Sequence, residues 1–182
     1  MFDEKEIVSK ILRGELRAFE LLVKQYEKLV FFVINRMVQG LEDKEDLCQD
    51  VFLKLHQQLP GFRFQSKLST WIARIAYLTA VDHLKKRKLT TLQDRPEDLE
   101  RYHFTEDSPE AVLLRKDTSA YLNLLIERMP IQYRTILTLY HLNEFSCGEI
   151  AEIMTMPEGT VKSHLFRARK LLKEKIEREF NG

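Results

Sequence analysis

The stretch FSCGEIAEIMTMPEGTVKSHLFRARKLLK, from Phe145 to Lys173, decides how the rest of the chain is read. Ser146 followed by Glu149 has capping-box spacing, so a helix opens there. Ile150, Ile153 and Met154 give that short helix one apolar stripe. Thr155-Met156-Pro157 breaks it, because proline cannot continue a helix yet suits the first turn of the next; Met156 is a poor N-cap for that second helix. The second helix buries Val161, Leu165, Ala168, Leu172 and Ile176. Its opposite face carries Thr160, Ser163, His164, Arg167 and Lys170, with Phe166 partly exposed. Five Lys/Arg and no acid fall between Gly159 and Lys173. A short helix, a turn and a second helix with a basic, hydroxyl-bearing face describe a helix-turn-helix reader of the major groove. A two-helix surface hairpin with a solvated basic face satisfies the same periodicity.

Working outward, the remainder reads as helix almost throughout. Strand alternation is absent, and only six glycines occur in 182 residues. The reading is all-α: two helical bundles joined by a flexible acidic linker, the second bundle ending in the helix-turn-helix. The boundaries are 1–88, 89–110 and 111–182. Helices are expected at about Glu4–Arg13, Glu15–Val38, Asp43–Gln58 and Leu68–Lys88. In the second, the apolar run Leu29–Ile34 belongs at the centre of the first bundle. In the third, Leu47, Val51, Leu55 and Leu59 are buried, whereas Leu53 lies on the outer face among Asp46, Gln49 and Asp50. An apolar residue ringed by acids suits protein docking, although a singly exposed leucine is common.

Pro60-Gly61 turns into the loop Phe62–Lys67 and a fourth helix with Leu68, Trp71, Ile72, Ile75 and Thr79 inward. Thr70, Arg74 and Tyr77 belong to its other side, and KKRK ends it. Rings and cations together suit single-stranded nucleic acid, although most aromatic residues at helical spacing are core. From Leu89 to Val112 seven acids stand against two arginines. That segment of roughly 22 residues could reach about 70 Å if extended, enough to span one or two DNA turns of about 34 Å. One helix of the second bundle is expected to bury Leu122, Leu125 and Met129, and another Ile136, Leu139 and Tyr140.

Composition removes several classes. No run approaches the roughly 20 apolar residues that span a bilayer, and the start lacks a signal-peptide pattern, so a cytoplasmic chain is expected. Cys48 and Cys147 are far apart and read as small core thiols. The net charge of +1 argues against tight unaided DNA binding. His141 and Glu144 have no third ligand at metal spacing, and nothing resembles a nucleophile, a phosphate loop or paired carboxylates. No enzyme, cofactor, metal or small-molecule substrate is expected.

Four stretches in order then carry a resemblance: EDLCQDVFLKL (Glu45–Leu55), FRFQSKLSTWIARIA (Phe62–Ala76), VDHLKKRK (Val81–Lys88) and EIAEIMTMPEGTVKSHLFRARK (Glu149–Lys170). Together they resemble bacterial extracytoplasmic-function (ECF) sigma factors of the sigma-70 family. The resemblance implies a subunit that directs RNA polymerase to promoters. It places Asp46, Gln49, Asp50 and Leu53 on the clamp coiled coil of the largest polymerase subunit. It places Phe62, Phe64, Ser66, Lys67, Thr70, Trp71, Arg74 and Tyr77 at the −10 element and its melting, with His83, Lys85 and Lys86 at the duplex just upstream. It assigns −35 reading to Glu158, Thr160, Lys162, Ser163, His164, Arg167 and Lys170. The implied partners are core polymerase (clamp coiled coil and flap), promoter DNA in double- and single-stranded form, and an anti-sigma factor that can be membrane-linked. Leu78 replaces a frequent asparagine and His164 a frequent arginine, so contacts at both positions depart from the family pattern. Three rivals stand beside this: a helix-turn-helix regulator that is not a polymerase subunit, a response-regulator output domain, and a module that sequesters polymerase. The second needs a strand-containing receiver, and residues 1–88 show no strand pattern.

Overall fold

The computed structural model describes residues 3–87, 99, 103, 104 and 117–180, the side chains of 179 and 180 excepted. Helices α1 (Glu4–Leu12), α2 (Leu16–Met37), α3 (Leu41–Gln58) and α4 (Leu68–Lys86) build the first bundle. A 3-10 turn, Leu59–Gly61, leads from α3 to the loop before α4. Helices α5 (Thr118–Arg128), α6 (Ile131–His141), α7 (Cys147–Met154) and α8 (Glu158–Phe180) build the second. Among the described residues there is no strand.

Local chemistry sets the boundaries. The Asp3 carboxylate accepts from the Glu6 amide and caps α1. Gly40 holds φ 90° at the start of α3, a conformation costly for any residue with a Cβ. Asp117 caps α5 through the amides of Ser119 and Ala120. The acidic linker proposed for 89–110 lies outside the described residues, apart from Leu99, His103 and Phe104. Lys88, the last residue of the basic block, lies outside them as well.

Leu22, Val30, Val33, Ile34 and Met37 of α2 meet Val51, Leu55, Leu59, Leu68 and Ile72 in a core that exposes almost no surface. Phe31 and Phe32 depart from the expected pattern at 41% and 39% exposed, because their helical phase turns them off the bundle axis. Leu122 is likewise exposed rather than core.

The two bundles touch. Helix α4 packs against α7, and α2 against α6. This overturns the expected outer face of α4: Thr70 is fully buried and Tyr77 nearly so. The reason lies in composition: α4 carries Ala73, Ala76 and Ala80, all without exposed surface, and a helix apolar on nearly every side needs partners on every side. Arg36 reaches across from α2, its Nη2 donating to Asn123 Oδ1 at 3.3 Å, with Glu127 at 3.9 Å.

Candidate nucleic-acid interface

The helix-turn-helix forms as its sequence dictates. Ser146 Oγ accepts from the Glu149 amide at 3.2 Å, while Glu149 Oε2 accepts from the Ser146 amide at 2.8 Å, so the capping box is complete. Thr155 ends α7 in the left-handed region, φ 52°. The Pro157 carbonyl accepts from the Val161 amide, which makes Pro157 rather than Met156 the residue that opens α8. Val161, Leu165, Ala168 and Leu172 are buried and Ile176 partly so, as the periodicity required.

On the other face of α8, Glu158, Lys162, Ser163 and Lys170 are exposed, Thr160 and Arg167 half-buried, and Phe166 is 69% exposed. His164 is the exception at 6%. Its ring lies edge-on to Tyr133, centroids 5.5 Å apart, and Nδ1 is buried without a hydrogen bond. Burial first, and the Arg167 charge second, hold His164 below its ordinary pKa, so it is neutral at pH 7. It was expected on the reading surface and sits beneath it. Leu99, 2% exposed, borders the same recess with Thr160, Ser163 and Arg167, and its carbonyl accepts from the Tyr133 hydroxyl at 2.9 Å.

The cationic face is also less free than residues 159–173 suggested. Lys162 pairs with Glu158 at 2.6 Å, Lys170 with Glu174 at 3.8 Å and Lys173 with Glu177 at 3.7 Å. The acids that flank the counted window fold back onto it, one turn away in each case.

The loop before α4 forms a second surface. Phe62 stacks on Trp71 at 4.7 Å and 29°, and Phe64 leans on Phe62 at 4.7 Å. Phe64 holds φ 54°, uncommon for a bulky residue, and stays 38% exposed. Phe62, Arg63, Gln65, Ser66, Trp71 and Arg74 enclose a recess of about 360 Å³, with Glu152 of α7 on its rim. Lys67 is exposed at its edge. Aromatic walls with guanidinium groups beside them hold an unpaired base by stacking and its phosphates by charge. Thr70 and Tyr77 lie outside this recess, buried in α4; His83 is half-buried and Lys85 and Lys86 are exposed at the end of that helix. Sequence reasoning missed Arg63 as a wall of the recess and Glu152 as its rim; an arginine in the aromatic loop was a signal for the first, and nothing local signals the second.

A third surface lies on α3. Asp46, Gln49, Asp50 and Leu53 are all exposed at spacings of three and four, hence on one face, and Leu53 is 62% exposed. His141, considered for metal binding, accepts at Nε2 from Arg169 Nε at 3.1 Å. Among the described residues no three His, Cys, Asp or Glu side chains cluster.

A helix-turn-helix and, apart from it, an aromatic recess flanked by guanidinium groups are the equipment expected of a promoter-recognition factor. The chain matches the family models for sigma-70 region 2 over residues 22–90 and sigma-70 region 4 over residues 119–172. It is 34% identical over 181 residues to the RNA polymerase sigma-H factor of Pseudomonas aeruginosa, spanning 96% of this chain and 94% of that one. The ECF RNA polymerase sigma-E factor of Haemophilus influenzae is 33% identical, over 96% and 95% of the two chains. The chain therefore belongs to the sigma-70 family, in its ECF branch, and is an RNA polymerase sigma factor. Its fold is that of CnrH in the complex with the cytosolic domain of CnrY (TM-score 0.66, 18% identity, 96% and 97% coverage). It is also that of RpoE from Bartonella quintana in the complex with the anti-sigma factor NepR (TM-score 0.62, 22% identity, 87% and 96% coverage).

Proposed function

We propose that the three surfaces divide the work of promoter-directed initiation. The α3 face with Asp46, Gln49, Asp50 and Leu53 docks on the clamp coiled coil of core polymerase. The Phe62–Trp71 recess takes a base from the opened −10 strand. Lys67 and Arg74 neutralise the phosphates beside it, and His83, Lys85 and Lys86 face the duplex upstream. Helix α8 reads −35 through Glu158, Thr160, Lys162, Ser163, Arg167 and Lys170, with His164 supporting the helix from behind. The functional division is 1–88, 89–110 and 111–182. The chain acts in the cytoplasm and carries no catalytic group of its own: binding energy directed at an unstacked base offsets a cost of a few kcal/mol. Its regulatory partner is an anti-sigma factor.

The observation that supports the reading is an aromatic recess flanked by Arg63 and Arg74 on the same chain as a helix-turn-helix. Run-off transcription with core polymerase tests it. The double substitution Arg167→Ala, Lys170→Ala is expected to lower promoter-specific transcripts at least ten-fold while core binding by gel filtration is retained. A regulator that is not a polymerase subunit would show no core binding, and a sequestering module would lose nothing on substitution.

A further inference from the structure

Helix α4 turns most of its length inward. From Leu68 to Val81 every residue is buried or half-buried except Leu78, which is 37% exposed. Polar side chains of the same turn are hidden instead: Tyr77 and Thr79, on either side of the leucine, are both buried. Thr79 Oγ1 accepts from Lys54 Nζ of α3 at 3.1 Å, and Ala76 and Ala80 pack without exposed surface. The turn that carries Leu78 is therefore fixed to the bundle. A single exposed leucine is ordinary. Its companions on the same face are not. Helical spacings of three, four and seven put Trp71, Arg74 and Lys85 on the stripe of Leu78, with the exposed Asp82 one turn beyond it.

The order along that stripe locates the leucine. At 1.5 Å per residue, Leu78 lies about 10 Å from Trp71, on which Phe62 stacks, and about 10 Å from Lys85. Each interval is about three base steps of 3.4 Å. The recess takes an unpaired base and the end of α4 faces paired DNA, so the boundary between single and double strand falls between them. We infer that Leu78 is the wedge at this boundary: its isobutyl group covers the face of the last base pair left closed when the −10 strands part. The inference rests on the reading of the recess and of the α4 end given above. Opening takes away a stacking partner and leaves the apolar face of that pair in water. A leucine covers the face with no polar group to desolvate, whereas a polar side chain of similar size would give up water and gain no partner. Arg74 before it and Lys85 after it hold phosphates to either side, and the Asp82 carboxylate turns them away from the intervening turn. The apolar contact exists only once the strands have parted, so it favours the opened state instead of strengthening binding to both states alike. Leu78 is in this sense a positioning residue.

The full chain with core polymerase tests this on two templates that carry one promoter active in run-off transcription. One is fully paired; the other is mismatched across the −10 element, so that its strands are already apart. Leu78→Ala removes the wedge, Leu78→Asn keeps its approximate size with polar atoms, and Leu78→Met keeps it apolar. On the paired template, Leu78→Ala and Leu78→Asn are expected to lower transcripts and permanganate-reactive thymines about five-fold or more, while Leu78→Met stays within about two-fold of the wild type. On the mismatched template all three are expected to match the wild type within about two-fold. Equal output from the wild type, Leu78→Ala and Leu78→Asn on the paired template would overturn the wedge. An equal loss on both templates would overturn it too, and place Leu78 in binding or folding; circular dichroism and gel filtration with core polymerase tell those two apart. A wild-type chain silent on both templates sinks the functional reading itself, and the wedge with it.

Discussion

His164 shows how one residue can carry the right spacing and the wrong address. Its position four residues after Thr160 places it on the polar stripe of α8, yet Tyr133 of α6 and Leu99 cover it. Periodicity sees one helix at a time; a neighbour that arrives from α6 or from residue 99 leaves no mark within residues 158–180. The neutral ring has consequences for pH. Burial and the nearby Arg167 lower its folded-state pKa below 6.5, so from 6.5 downward the unfolded chain takes up a proton that the folded chain refuses. The contribution of His164 to stability is thus complete above pH 6.5 and is lost as pH falls below it. Glu149 adds a lower window. Burial would raise its pKa, but hydrogen bonds from Lys67 and Ser146 outweigh that and bring it to about 2, so its contribution declines only between pH 4.5 and about 2. Histidine resonances followed by NMR between pH 4 and 8 are expected to show His164 titrating below its ordinary range near 6.5. Urea midpoints are expected to fall between pH 7 and 5, and less so in His164→Gln. An unchanged midpoint across that range would remove the linkage.

At the scale of elements, capping and periodicity made most of the fold legible. The capping box at Ser146 and Glu149, the break at Pro157 and the stripe Val161–Leu172 all appear in place. What stayed hidden is what faces a partner element. Helix α4 was read as two-faced because Thr70, Arg74 and Tyr77 are polar or amphipathic, but α7 packs where solvent was expected. The charge of α8 was overcounted for a related reason: Glu158, Glu174 and Glu177 lie just outside the counted window and pair into it. The turn between α7 and α8 holds one avoidable cost. Thr155 is β-branched and exposed at φ 52°, where a Cβ crowds the following carbonyl by about 1–2 kcal/mol. Thr155→Gly is expected to recover about 1 kcal/mol of that, partly offset by the entropy of glycine in the unfolded chain. In thermal unfolding this reads as a rise of about 2–4 °C for a chain of this size. A fall in melting temperature would mean that the threonine side chain makes a contact worth more than the strain.

For the whole molecule, the charge arrangement decides how the free chain meets DNA. A net charge of +1 over 182 residues supplies no general attraction to a polyanion. On α8, Lys162, Lys170 and Lys173 each face a glutamate one turn away, and Arg169 stacks over the Tyr140 ring at 4.8 Å. At the first bundle, Arg87 pairs with Asp43, and Lys67 with Glu149. The carboxylates beside these lysines and Arg87 repel a polyanion locally, and each phosphate neutralised contributes a slope of about −0.9 to log K against log salt. The free chain on duplex DNA of random sequence is therefore expected to show a shallow slope, no steeper than about −3, and a dissociation constant weaker than about 10⁻⁵ M near physiological salt. Fluorescence anisotropy from 50 to 200 mM salt (about the range over which such slopes are resolved) measures it. A wild-type slope of about −6 or steeper would show that the glutamates on α8 do not hold their lysines in solution.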